Sequence, residues 1–96
     1  MNLLHPKKNL KDFSKLQELP SARGGGSNYF LIALAESGLD VYVCFCNAER
    51  NKVYIEKTTK LNPNKFICVE DLAKVESDDE FFKVYNFLIE KGILDG

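Results

Sequence analysis

Residues 29–46 restrict this chain more than any other stretch. Tyr29 to Ala35 is an almost unbroken apolar run, Ser37-Gly38 interrupts it, and Val41 to Cys46 resumes it. The run Tyr29 to Ala35 is about a quarter to a third of the length a membrane-spanning helix needs. A short continuous apolar run between turn residues instead fits a central strand covered on both faces, so Tyr29 to Glu36 is expected to lie in the middle of a sheet. Leu39 to Cys46 reads as a second buried strand, with Leu39, Val41, Val43 and Phe45 on one face and Tyr42, Cys44 and Cys46 on the other. After the polar turn Asn47 to Asn51, Lys52 to Thr59 alternates: Val53 and Ile55 point inward, and Tyr54, Glu56 and Thr58 occupy a wetter face. Links this short join antiparallel neighbours, which predicts a meander of three to four strands.

Helical signals flank the meander. Ser77-Asp78-Asp79-Glu80 is a capping box, in which Ser and Glu each satisfy a free backbone amide at a helix start. Phe81, Phe82, Val84, Tyr85, Leu88 and Ile89 follow at three- and four-residue steps, and Gly92 after Lys91 suits a left-handed ending. A long helix over 78–91 is therefore predicted. Asn9, Leu10, Phe13 and Leu16 suggest a short N-terminal helix that Pro20 closes, with residues 1–8 frayed. Phe66 to Val69 fits either a fourth strand or a helix entry, and Glu70 to Val75 one or two helical turns. Residues 21–28 hold half of the six glycines and read as a flexible loop, a string that also has the composition of a synthetic linker. The expected architecture is α+β: an antiparallel meander packed against a short N-terminal and a long C-terminal helix.

Ninety-six residues suffice for one core, so a single domain over 1–96 is expected. The N-terminus lacks a secretory apolar region, and the odd set Cys44, Cys46 and Cys68 fits a reducing, cytoplasmic setting better than a disulfide framework. Cys44-Phe45-Cys46 does not have the spacing of a zinc knuckle, and the one histidine, His5, sits in the frayed segment. Neither a metal site, a cofactor nor a catalytic pairing is expected, and the chain is read as a non-enzyme.

Charge is the remaining guide. The net charge is only −1, but residues 1–23 carry +3, 24–46 carry −2, 47–65 carry +3 and 66–96 carry −5. Binding of another protein is the leading expectation, through an exposed sheet edge, self-paired as a homodimer or paired with a partner, or through Asp78 and Asp79 facing a basic partner. Such a module resembles an inhibitor or adaptor, and its asparagine- and lysine-rich composition suits a bacterial or phage source. The alternative is a nucleic-acid binder using Arg50, Lys52 and Lys57 at a lysine-rich sheet edge beside Tyr29, Tyr42 and Tyr54. The order helix, meander, helix is also that of double-stranded-RNA-binding domains. Their basic cluster at the last helix is replaced here by Asp78, Asp79 and Glu80, which repel phosphate. A third reading places a small anion on the glycine loop, at Arg23, Gly25 and Ser27. Membrane association is not expected.

Overall fold

The structure, a computed structural model, describes residues 2–3, 16–59 and 67–94. Its centre is an antiparallel sheet of six strands: β1 (Asn2–Leu3), β2 (Gln17–Pro20), β3 (Gly26–Ser37), β4 (Asp40–Asn47), β5 (Val53–Thr58) and β6 (Ala73–Lys74). The order across the sheet is β1-β3-β4-β5-β6, with β2 on the same side of β3 as β1. One helix, α1 (Asp78–Glu90), follows.

The apolar run becomes the strand pair β3–β4, which is covered on both faces. Ile32 is the extra residue of a bulge, because Leu31 pairs with Phe45 and Ala33 with Cys44. The bulge puts Ile32 and Ala33 on one face and so explains a run with no alternation. That face also carries Ala35, Tyr42, Cys44, Cys46 and Ile55, and packs against Val84 and Leu88 of α1 with Ile93 and Leu94 behind them. The other face holds Leu31, Leu34, Val41, Val43 and Phe45, under Leu19, Ile67 and Leu72. Gly38 (φ +62°) lets the β3–β4 turn close over two residues between the paired Ser37 and Asp40.

The helix has the ends its residues demand. The Ser77 hydroxyl accepts from the Glu80 amide at 3.1 Å. At the far end the Gly92 amide donates to Ile89 and the Ile93 amide to Leu88, both at 2.9 Å, with Gly92 at φ +73°. This paired closure permits Ile93 and Leu94 to fold back into the core.

Several expectations are corrected. The meander gains β1, β2 and β6, so Asn2–Leu3 pair with β3 rather than fray. Most of the expected N-terminal helix lies outside the described residues, and its last part, Gln17–Pro20, is strand because it pairs with the edge of β3. The glycine segment is a hairpin turn whose last residues, Gly26 to Asn28, already belong to β3. Leu39 sits in the turn and is 92% exposed, whereas Thr58 is buried beside Val41. Ile67 and Cys68 are buried, Cys68 with an extended backbone, and Glu70 to Val75 make only a single 3-10 turn (Val69–Asp71) before β6.

Leu88 is 1% exposed and Phe82 56% exposed, so truncation distinguishes the two sides of α1. Leu88→Ala is predicted to cost about 2–5 kcal/mol in urea unfolding. Phe82→Ala is predicted to change stability by less than about 0.5 kcal/mol. Equal losses at the two positions would contradict this orientation.

Candidate protein-binding surface

The capping box forms only halfway, and the departure organises the start of α1. Ser77 caps the Glu80 amide, but the Glu80 carboxylate turns to the sheet, where it accepts from the Tyr42 hydroxyl and from Lys57 Nζ at 3.3 Å. Tyr42 and Lys57 are opposite each other on β4 and β5, so one carboxylate ties the helix to two strands. The Tyr42 hydroxyl, ahead of Lys57, holds the Glu80 carboxyl below its usual value. Burial, then the Glu80 bond, pushes the Tyr42 phenol up to about 12. Glu80 likewise raises the Lys57 ammonium.

With Glu80 committed, Asp78 and Asp79 remain exposed in the first turn, where the helix dipole favours them. Side chains three and four apart share a helix flank, which aligns Asp78 with Phe82, Tyr85 and Ile89. Phe82 stands most exposed, Tyr85 and Ile89 are half-buried, and Phe81 braces the row. The Phe81 and Phe82 rings meet edge to face at 5.5 Å, and Phe81 stacks on Tyr85 at 6.0 Å. The result is an apolar flank with an acidic end. Periodicity assigns all three aromatics to the core; Phe81 and Tyr85 do pack against its margin, and Phe82 does not.

The predicted basic patch is not assembled. Lys57 is paired with Glu80. Lys52 lies about five strand residues away, roughly 16 Å along β5, with Nζ 5.7 Å from the centre of the Tyr54 ring. Arg50, in the β4–β5 turn at φ +60°, lays its guanidinium 5.2 Å from the Phe30 centroid, and its Nε is buried without a hydrogen-bond partner. Tyr29 and Tyr54 pack around Phe45 on the face opposite α1, while Tyr42 lies beneath α1.

The predicted anion loop already holds a carboxylate of its own chain. Glu70 accepts from the Ser21 hydroxyl at 2.8 Å and from the Ala22 amide at 3.1 Å, and these donors lower its carboxyl, the amide most. Ser27 donates to the Leu19 carbonyl at 2.7 Å, and Gly25 adopts φ +84° with open space beside it. Arg23 is exposed. These contacts do not bring Arg23, Gly25 and Ser27 onto one point.

Cys44, Cys46 and Cys68 are buried free thiols, and burial raises the first two. Among the described residues no group of three or more His, Cys, Asp or Glu side chains is placed to hold a metal ion. No described helix is long and apolar enough to cross a membrane. Comparison with known proteins finds no matching family model, no matching curated protein and no matching solved structure.

The Glu80 clamp carries a pH dependence of known sign. A carboxyl lowered in the native state stabilises the fold above the ordinary range near about pH 4.3, and that contribution disappears as pH falls through the lower native value. The raised Tyr42 phenol contributes below about pH 10 and loses its contribution as pH climbs toward about 12. Urea titrations of Glu80→Gln are therefore predicted to show a deficit against wild type near neutrality that narrows below about pH 4. A deficit independent of pH would contradict the clamp.

Proposed function

We propose that this chain is a small non-catalytic protein-binding module that takes a basic, apolar segment of a partner on the exposed flank of α1. The observation that carries the reading is Phe82, a large aromatic side chain left 56% exposed on a regular helix beside the exposed carboxylates of Asp78 and Asp79. Exposed aromatics are the usual anchors of protein contacts, and carboxylates at one end of such a surface favour a basic partner there. Glu76, also exposed, adds to the acidic end. An inhibitor or adaptor needs no more than such a surface on a rigid support. The nucleic-acid alternative draws less support, because Lys57 is neutralised and Arg50 is stacked on Phe30.

Capture from a lysate of the source organism tests the reading, run with and without nuclease and compared between wild type, Phe82→Ala and Asp79→Lys. Both variants keep Ser77 and Glu80, so the helix cap and the clamp remain. A protein that stays bound after nuclease treatment and falls at least about tenfold with either variant supports the module, since anchor truncations commonly cost about 2 kcal/mol or more. A bound protein indifferent to both substitutions overturns the site. Material lost with nuclease overturns the function in favour of nucleic acid.

A further inference from the structure

The described edges of the sheet are unequally guarded. β2 ends in Pro20, which has no amide proton to offer a neighbour. Beside it the Glu18 carboxylate folds back against Gly26 and accepts from the Asn28 amide at 3.2 Å. At the opposite edge β6 covers β5 only at Glu56 and Lys57. Val53 and Tyr54 are part-exposed and have no strand on that side among the described residues, whereas Ile55 is buried, and only the lysine at position 52 stands guard. An open edge rich in β-branched and aromatic residues is a template for another strand.

We propose that this edge pairs antiparallel with the same edge of a second copy, about a two-fold axis through Val53. The proposal is independent of the α1 surface. Two-fold pairing that keeps both faces of the sheet in line requires paired residues to differ by an even number, which leaves three registers near the opening. Centring on Lys52 sets two ammonium groups opposite each other. Centring on Tyr54 sets the partner's Lys52 opposite Glu56, where Lys74 already sits. Centring on Val53 pairs the open positions 52–54, and the partner's chain has already turned away at Arg50 (φ +60°), outside the strand, before it comes level with Glu56.

In that register each Lys52 faces the partner's Tyr54. Within one chain Lys52 Nζ already lies 5.7 Å from the Tyr54 ring centre, so the ring attracts this cation without any new chemistry. Glu56 is on the same face, diagonal to the incoming ammonium and within reach of its flexible stem, which lets it lean away from the other Lys52. The paired length is short, so the dimer is weak and forms with rising concentration.

The test combines mass with cross-linking. Light scattering on the full chain is expected to show a mass that climbs from 10.9 kDa toward twice that value as concentration rises. Val53→Cys is expected to form a disulfide-linked dimer under mild oxidation, because residues opposite each other on antiparallel strands have Cα atoms about 4.5–5.5 Å apart, within disulfide reach. Lys52→Cys and Tyr54→Cys are expected to stay uncross-linked, since each is offset by two residues from its copy. The native cysteines are buried and contribute little background. A mass constant at 10.9 kDa overturns the proposal, as does equal cross-linking at all three positions or cross-linking at Tyr54→Cys alone. So does a monomer whose edge instead takes an extended peptide of another protein.

Discussion

Burial of the β3–β4 pair on both faces is the constraint from which the remaining structure follows. Val43 and Cys46 are completely covered although they point to opposite sides of the same strand. A central pair this apolar needs a cover on each face, and the chain supplies two different ones. α1 lies over one face, and Leu19, Ile67 and Leu72 lie over the other. Along α1 only Val84 and Leu88 are fully buried; Phe81, Tyr85, Phe87 and Ile89 pack against the core's margin, and Phe82 stays outside.

The rotation of α1 about its own axis is then set by polar contacts at its ends. Glu80 leaves the amide it is spaced to cap and joins Tyr42 and Lys57, while Gly92 turns Ile93 and Leu94 under the far end. A partly buried carboxylate shared by a phenol and an ammonium is a directional restraint, unlike the apolar contacts beside it. The same kind of exchange recurs at Glu70, which joins the β2–β3 turn to the 3-10 turn through Ser21 and Ala22. Charges that look free along the chain are thus spent inside it. On the aromatic flank of α1, Asp78 and Asp79 stay exposed beside Phe82.

The helix and the three long strands were legible because each declares itself locally. The apolar runs, the Ser77 cap and Gly92 carry their structural meaning within a few residues. The short edge strands were not legible, since Gln17–Pro20 and Ala73–Lys74 are too short and polar to show a strand pattern and become strand only by pairing with β3 and β5. Leu39 looked like a core residue by parity, but the two-residue turn ends the alternation before it. The α1 site was half legible. Asp78 and Asp79 stood out by charge, whereas Phe82 was hidden among core aromatics until the width of the sheet decided which of them it covers. Local spacing marks Glu80 only as a cap partner for Ser77; the role it takes depends on Tyr42 and Lys57 arriving from the sheet.

Nuclear Overhauser contacts of the Phe82 ring, set against those of the Val84 and Leu88 methyls, test most directly that α1 turns this aromatic outward. The methyls are predicted to show cross-peaks to side chains of the buried face that includes Tyr42, Cys44 and Ile55, and the Phe82 ring only to its helix neighbours, Phe81 among them. Cross-peaks from the Phe82 ring to Ile32, Cys44 or Ile55 would contradict this, placing the side chain in the core and removing the surface built on it.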